Sequence, residues 1–139
     1  MSGAGDDAPG AVRGLGVDAV DLARFKEVMT RRPALVDRLF TEAERAYAER
    51  SIDPAPRLAA RFAAKEAALK ALGVGMGSAD FRDVEVVSGE GGAPRLAVHG
   101  RAAALAAARG VRRWHVSLTH TDTVAVASVV AEGGEGPGT

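Results

Sequence analysis

The sequence predicts one α+β domain in which helices pack on an antiparallel sheet. The order of the elements supports this: helical segments dominate the chain up to residue 72, and paired strand segments dominate residues 83–130. A parallel βαβ fold would instead alternate strands and helices along the chain. We expect the domain to cover residues 12–132. Residues 1–11 and 133–139 are predicted to be disordered tails, because both are short and rich in glycine and other small or polar residues.

Composition narrows the class of protein. The chain has 139 residues, of which 47% are hydrophobic but only 4% aromatic, so its core must consist mainly of Ala, Val and Leu. It has no cysteine, which excludes disulfides and cysteine-ligated metal sites. No apolar run is long enough to span a bilayer, and the first residues lack the apolar segment of a signal peptide. We therefore expect a cytoplasmic protein.

Charge is balanced over the whole chain but not locally. Eighteen Lys and Arg are matched by eighteen Asp and Glu, which argues against a general binder of nucleic acid or membrane surfaces. Between Leu22 and Leu72, however, eleven basic residues stand against seven acidic ones. The rest of the chain carries the opposite excess, so the central helical part is locally basic.

The first element is a strand at Gly14–Val20. Its alternation places Leu15 and Val17 on one side and Asp18 on the other. Aspartate is depleted in strands, which makes Asp18 a candidate functional residue. Asp21 is predicted to be the N-cap of the helix that follows.

Capping signals locate the next helices. The first strand is followed by one helix and then by a second, short helical segment. Thr41 and Glu44 then form a capping box, which predicts a third helix to about Arg50. Asp53 and Pro54 then supply an N-cap and a first-turn proline for a longer helix.

That longer helix, residues 57–72, is the centre of the prediction. It reads RLAARFAAKEAALKAL and ends at Gly73, which suits the left-handed cap. One stripe of it is apolar and the opposite side is alanine, so we expect both to be buried. Lys65 nevertheless falls inside the apolar stripe, where an unpaired charge is costly. The stripe consists of Leu58, Phe62, Leu69 and Leu72.

Two hairpins complete the predicted fold. Four segments alternate as strands around turns: residues 83–87, 95–99, 114–119 and 124–130. An alanine-rich helix at residues 101–109, stopped by Gly110, connects the two hairpins.

Asp18 and Glu66 form a candidate metal pair. One lies on a strand and the other on a buried helix, and Mg²⁺ typically takes one or two protein carboxylates with water and phosphate in its other positions. The alternative is that Asp18 binds loop amides and that Glu66 pairs with Lys70 one helical turn later. Spacing alone favours the alternative.

Arg61, Lys65 and Lys70 project from the same helix on sides that bracket Glu66. Several cations would suit a ligand rich in phosphate, whereas a solvated basic edge is the simpler interpretation for Arg61. His120, at a strand end beside Thr121, either faces a phosphate or caps the turn.

Other motifs are excluded. The glycines at positions 73, 75 and 77 precede no Lys-Ser/Thr pair and follow no strand, so they form neither a P-loop nor a dinucleotide fingerprint. Ser117, His120 and Asp122 are the residue types of a catalytic triad, but the sequence has no nucleophile-elbow motif around the serine.

Three segments in order resemble the holo-acyl-carrier-protein synthase family of phosphopantetheinyl transferases: residues 14–24, 61–73 and 115–121. The similarity runs from about Val12 to Glu132. It implies the phosphopantetheinyl-transferase-like α+β fold and transfer of 4′-phosphopantetheine from coenzyme A to a serine of an apo acyl carrier protein. Adenosine 3′,5′-bisphosphate would be the other product.

The resemblance also implies roles for single residues. Asp18 and Glu66 would hold Mg²⁺. Lys70, together with Lys65, would lie against the pyrophosphate, and Lys70 would stabilise or protonate the leaving phosphate. The general base stays open between Glu66 acting through a water and Asp21, a position where family members usually have Glu.

For the nucleotide end of coenzyme A, the resemblance points to Arg61, His120 and Thr121, with the 3′-phosphate as the candidate contact. The nucleophile belongs to the partner, so the chain need not supply a catalytic Ser or Cys.

Partners follow from the same resemblance. Carrier proteins are acidic, and Arg24, Arg31 and Arg32 are the candidate docking residues. Family members are homotrimers with sites between subunits, and the alanine-rich helix face and the last strand fit either an interface or an ordinary core. The sequence leaves open whether a carrier protein of fatty-acid or of polyketide synthesis is served.

Two non-enzymatic alternatives stay open: a coenzyme A or nucleotide-binding module of the same fold, and a structural module whose charges only form ion pairs. The presence of Asp18, Glu66 and Lys70 together favours the enzyme, since a binding module has no need of the metal pair.

Overall fold

The computed structural model describes residues 10–88 and 90–134, and within these ranges the predicted α+β organisation is confirmed. Five helices and five strands alternate irregularly along the chain. In order they are β1 (Val12–Asp21), α1 (Leu22–Arg31), α2 (Ala34–Leu39), α3 (Glu42–Glu49), α4 (Ala55–Ala71), β2 (Val84–Ser88), β3 (Pro94–Val98), α5 (Gly100–Ala108), β4 (Val111–His120) and β5 (Val124–Gly133).

The sheets are antiparallel. β5 lies between β1 and β4 in a three-stranded sheet, and β2 pairs with β3 in a separate hairpin. In the three-stranded sheet Asp18 is opposite Ala127, which is opposite Leu118 on its other side. Asp18 therefore shares a face with the buried alanines of β5, and that face packs against α4.

Two glycines bring α4 unusually close to β1. A Cβ added at Gly16 would lie 1.8 Å from the carbonyl oxygen of Ala67, and one at Gly14 would lie 1.8 Å from that of Ala71. No side chain fits in this space, so glycine on the strand and alanine on the helix allow the two backbones to pack directly.

The opposite face of the three-stranded sheet has no covering layer within the described residues. Leu15 is 63% exposed and Val17 is 52% exposed, while Val126 and Val130 are partly buried beside them. The alternation in β1 was predicted, but which of its sides faces the helix was not.

The amino-terminal helices pack on the first half of α4 through aromatic side chains. The ring of Phe25 on α1 lies 5.8 Å from that of Phe62 on α4, which lies 5.6 Å from Phe81. Phe40 is fully buried and meets Phe25 edge-on at 6.4 Å. No helix in the described ranges is both long and apolar enough to cross a bilayer.

The capping predictions for α1 and α3, and the left-handed glycine after α4, are confirmed. Asp21 accepts a hydrogen bond from the backbone of Arg24 at the start of α1, and Thr41 and Glu44 make both bonds of the capping box on α3. Gly73 adopts a φ of 73° after α4.

Most predicted boundaries shift by one to three residues. α4 begins at Ala55, two residues before the predicted start, and its N-cap is Pro54 rather than the predicted Asp53, whose Oδ1 accepts from the Ala55 amide at 3.2 Å. β5 continues to Gly133, whose amide donates to Ala11 at 2.8 Å, so Gly133 belongs to the sheet and Ala11 is hydrogen-bonded to it. The other tail positions lie largely outside the described residues, and their predicted disorder stays a prediction.

We expect Gly16→Ala to lower the free energy of unfolding by about 1–3 kcal/mol, because the new methyl group would overlap a helix carbonyl. Urea denaturation monitored by circular dichroism measures this. Gly75→Ala is the matched control, since a Cβ there has no atom within 4 Å. Equal stability of the two variants would contradict the close packing of α4 on β1.

Candidate active site

Asp18 and Lys70 meet where β1 passes the second half of α4. Lys70 Nζ donates to Asp18 Oδ1 at 3.0 Å and to the carbonyl oxygen of Val17 at 3.1 Å. The Asp18 side chain is only 13% exposed, whereas that of Lys70 is 55% exposed. Lys70 therefore reaches over the acid from the solvent side.

Glu66 lies one helical turn before Lys70, on the same side of α4. Partial burial and the neighbouring Asp18 carboxylate raise the pKa of Glu66 to about 7, and the charge of Lys70 opposes this rise. The two acids are thus held close enough together that one of them tends to keep a proton near neutral pH.

The donor set fits a hard divalent cation. Asp18 Oδ2 is buried and has no hydrogen-bond partner within the described residues, and Glu66 is next to it. Over residues 10–88 and 90–134 no group of three or more His, Cys, Asp or Glu is placed to hold a metal. The carboxylates of Asp18 and Glu66 are the candidate ligands. Mg²⁺ is commonly bound through one or two carboxylates together with substrate phosphates.

Lys65 does not belong to this cluster, and the prediction that it contacts the pyrophosphate requires correction. Its side chain is 0% exposed. The ammonium group donates to Glu44 Oε1 at 2.7 Å and to two backbone carbonyls, those of Phe81 and Val84, at 2.9 and 2.7 Å. All three of its protons are used inside the core, because Lys65 points toward α3 and β2 rather than toward β1.

Arg61 is also buried, at 6% exposure. Its guanidinium lies 4.1 Å from the centre of the Tyr47 ring, and that of Arg57 lies 4.5 Å from the same ring. Burial lowers the pKa of Arg61, while Tyr47 and Glu44 oppose the shift. Its Nε has no hydrogen-bond partner in the described part of the chain, so it keeps a donor for a ligand or a water.

His120 and Thr121 lie at the exposed turn between β4 and β5. Thr121 Oγ1 accepts from the amides of Thr123 and Val124 at 3.2 and 3.1 Å, and a ring nitrogen of His120 lies 3.2 Å from the Thr121 carbonyl oxygen. Both residues therefore support the turn. The His120 ring stays exposed to solvent.

The three arginines proposed for docking lie together on or just after α1. Arg24, Arg31 and Arg32 are exposed and border one shallow depression with Val28 and Glu27. The side chain of Arg31 lies 4.0 Å from Glu27, so this surface is partly neutralised but keeps an excess of positive charge.

An apolar cavity of about 440 Å³ extends from this helix to Glu66. Glu66 and Asp21 lie at its polar side, and Met76, in the loop after α4, is on its rim. Its apolar walls include Phe25, Val28, Leu35 and Phe62. Sequence patterns did not indicate this cavity, because it is formed by side chains from four separate segments.

Sequence reasoning also missed Glu44 and Tyr47. Glu44 was assigned only to the capping box, and nothing local indicated that the same carboxylate would bind Lys65. Tyr47 is the only tyrosine of the chain, and its contact with two arginines depends on how α3 packs against α4.

Comparison with known proteins agrees with this fold. The family model described as the 4′-phosphopantetheinyl transferase superfamily matches residues 14–127. A holo-[acyl-carrier-protein] synthase of Clavibacter michiganensis subsp. michiganensis is 52% identical over 122 residues, which are 88% of this chain and 97% of that protein.

Solved structures give the same result. The holo-[acyl-carrier-protein] synthase of Neisseria meningitidis matches with a TM-score of 0.80 at 30% identity, over 88% of this chain and 99% of its own. The Bacillus anthracis synthase in complex with CoA (3′,5′-ADP) matches with a TM-score of 0.73 at 32% identity, over 88% and 97% of the two chains. The chain therefore belongs to the 4′-phosphopantetheinyl transferase superfamily, as an enzyme of the holo-[acyl-carrier-protein] synthase type.

Proposed function

We propose that this protein transfers 4′-phosphopantetheine from coenzyme A to a serine of an apo acyl carrier protein in a Mg²⁺-dependent reaction. Adenosine 3′,5′-bisphosphate is the other product. The cluster of Asp18, Glu66 and Lys70 carries the proposal, because two adjacent acids and a lysine provide what displacement at a pyrophosphate requires. The coenzyme A complex of the Bacillus anthracis relative supports the choice of substrate.

The bonds exchanged define what the residues must do. The serine oxygen of the carrier protein forms a bond to the phosphorus next to pantetheine, and the bond from that phosphorus to the bridging oxygen breaks. The bridging oxygen leaves with the nucleotide, and its negative charge needs a cation or a proton. Lys70, exposed and hydrogen-bonded to Asp18, is suited to that task.

Asp18 and Glu66 would hold the Mg²⁺, which when bound neutralises charge on the phosphate oxygens. The serine proton has two candidate acceptors, Glu66 through a water and Asp21. Asp21 Oδ2 already accepts from the Arg24 amide as the helix cap, which favours Glu66.

The nucleotide end would require another subunit. Arg61 and Glu66 are five residues apart on α4, so they project about 140° apart around its axis. Arg61 is 6% exposed and packed on Tyr47, and it projects away from a coenzyme A whose pyrophosphate lies at Glu66 of the same chain. A homotrimer with sites between subunits would bring the exposed His120 and Thr121 of one copy to the acids of the next.

The uncovered face of the three-stranded sheet is the candidate interface of that trimer. Leu15 and Val17 are more than half exposed there, which is uncommon for adjacent apolar side chains of one strand face. The alanine face of α4 is not a candidate interface, because it is buried against β1 and β5 within the chain.

Glu66→Gln should abolish transfer, with a loss greater than about 100-fold, because a ligand and proton acceptor is removed. The assay is the intact mass of an apo carrier protein after incubation with coenzyme A and Mg²⁺. Wild-type protein should add one phosphopantetheine, and EDTA should prevent this. Wild-type turnover by the variant would contradict the metal assignment. If wild-type protein transfers nothing to several carriers yet is stabilised by coenzyme A, the binding-module alternative gains support.

The same variant should remain folded. The folded-state pKa of Glu66 is raised above its ordinary 4.5, so its ionisation destabilises the metal-free protein as pH rises from 4.5 through about 7. Glu66→Gln removes that cost and should melt no lower than wild type at pH 8 without metal. A large loss of stability would mean that the ionised side chain has a structural role.

Leu15→Glu should convert the trimer into monomers, because it places a charge within the proposed apolar interface. Native mass spectrometry measures the subunit number, and transfer should be lost together with the trimer. Ile52→Glu changes another fully exposed aliphatic residue to Glu and should leave the oligomer intact. A wild-type monomer, or a Leu15→Glu trimer, would contradict the interface.

Arg31→Ala combined with Arg32→Ala should raise the KM for the carrier protein about 3- to 10-fold, with kcat unchanged. Exposed charges act mainly on encounter and orientation, so the effect should disappear at high salt. Arg95→Ala combined with Arg112→Ala removes the same charge from other exposed positions and should have little effect. Equal effects of both pairs would exclude a specific docking surface on α1.

A further inference from the structure

α4 carries the reactive groups, yet its contact with the sheet offers little resistance to rotation. The helix meets β1 and β5 mainly through alanines, and through backbone carbonyls that face Gly14 and Gly16. Such a surface lacks the large side chains that lock one helix orientation by filling matching holes. Contacts on the other sides of α4 therefore set its rotation about its axis, and besides the packing of Phe62 and Leu69 they include a directional one.

Lys65 makes that directional contact. Its Nζ is held by three acceptors at 2.7 to 2.9 Å, contributed by Glu44, Phe81 and Val84. These acceptors lie on three different segments, and the side chain is fully buried. An ammonium group satisfied in this way can occupy only one position.

Glu44 is held equally firmly. Its Oε1 accepts from Lys65 and from the Thr41 amide at 2.9 Å, and its Oε2 accepts from the Val86 amide at 2.8 Å. Thr41 Oγ1 in turn donates to Glu85 on β2 at 2.8 Å. The carboxylate thus joins the start of α3, the middle of α4 and strand β2.

Stability alone does not account for this pair. Replacing a buried ion pair by apolar residues of similar size is often neutral or stabilising. Position 65 lies in a stripe with Leu58 and Leu69, where Met or Leu would extend the apolar core. The pair supplies directional hydrogen bonds that fix the position of the Lys65 side chain, which an apolar residue would not.

Lys65 is the residue immediately before Glu66, so anchoring one fixes the direction of the other. A rotation of α4 by about 10° would move a group roughly 6 Å from the axis by about 1 Å. A displacement of that size is enough to separate Glu66 from Asp18 and to lengthen the 3.0 Å bond of Lys70. Rates of positioned reactions are sensitive to such changes.

We propose that the buried Lys65–Glu44 pair is a positioning device that sets the rotation of α4 and thereby holds Glu66 and Lys70 against Asp18. The proposal rests on the proposed function for its kinetic consequence, but its structural consequence can be measured without metal or substrate. Neither residue of the pair contacts the reacting groups.

The test is the double variant Lys65→Met with Glu44→Gln, which removes both charges and so leaves no buried ion uncompensated. We expect it to fold, to lose about 10- to 100-fold in kcat, and to keep the KM for coenzyme A within about twofold. In crystals of the metal-free variant the distance from Lys70 Nζ to Asp18 Oδ1, which is 3.0 Å here, should lengthen by about 1 Å. Wild-type kcat together with an unchanged Lys70–Asp18 distance would overturn the proposal.

A second variant keeps the test valid if the double variant does not fold. Glu44→Asp retains the charge but shortens the reach by one methylene group, and it should change kcat and the Lys70–Asp18 distance in the same way to a smaller extent. Val111→Ala at the start of β4 is the control for general destabilisation, since this buried residue pairs with Gly133 and makes no contact with Lys65 or Glu44 in this network. If Val111→Ala reduces kcat and lengthens that distance as much as the pair variants do, the pair has no positioning role.

The outcomes also separate the two proposals. Absence of transfer by wild-type protein would contradict the proposed function only, because the Lys70–Asp18 distance in the metal-free variants would still report on positioning. Normal transfer by wild type with no response of the pair variants would contradict the positioning role only.

Discussion

Direct packing of α4 on β1 is the contact on which the site depends. Gly16 and Ala67 allow the strand backbone to touch the helix backbone, with no room for even one methyl group between them. This closeness places Asp18 beside Glu66 and within reach of Lys70. Larger residues at the glycine positions would separate the layers and also the acids. The fold and the site therefore share one steric requirement.

The site is electrostatically unfavourable for the protein by itself. Partial burial of Glu66, together with the neighbouring Asp18 carboxylate, raises the pKa of Glu66 to about 7, and the charge of Lys70 opposes that rise. One oxygen of Asp18 is buried without a hydrogen bond from the described residues. Such local cost is typical of sites built to receive a cation, because the ligand supplies the missing charge and contact.

The two lysines of α4 differ in burial and in the contacts that they make. Lys65 and Lys70 are five residues apart and chemically identical, yet one is fully buried and the other is more than half exposed. The buried lysine uses every proton on internal acceptors, whereas the exposed one keeps the freedom to contact a phosphate. Arg61 lies one turn before Lys65 on the same side of the helix, against Tyr47, and so points away from Glu66 and Lys70.

Local features of the chain were sufficient to predict the elements and part of the site. The capping box of Thr41 and Glu44 and the left-handed Gly73 are determined within a few residues, so they could be read without the fold. The extension of β5 to Gly133 could not be predicted, because the backbone hydrogen bond from Gly133 to Ala11 is not indicated by any pattern in a glycine-rich sequence.

The sequence by itself determined the order of the elements and singled out Asp18, Glu66 and Lys70, because short-range capping, periodicity and a specific motif order are properties of the chain. Only the tertiary structure decided the role of Lys65. A lysine in an apolar stripe looks the same whether it binds a phosphate or a buried acid, and its partner Glu44 is 21 residues away. Tertiary packing also determines which face of β1 is buried, because the alternation of residue types defines two faces of the strand but not the layer that covers one of them.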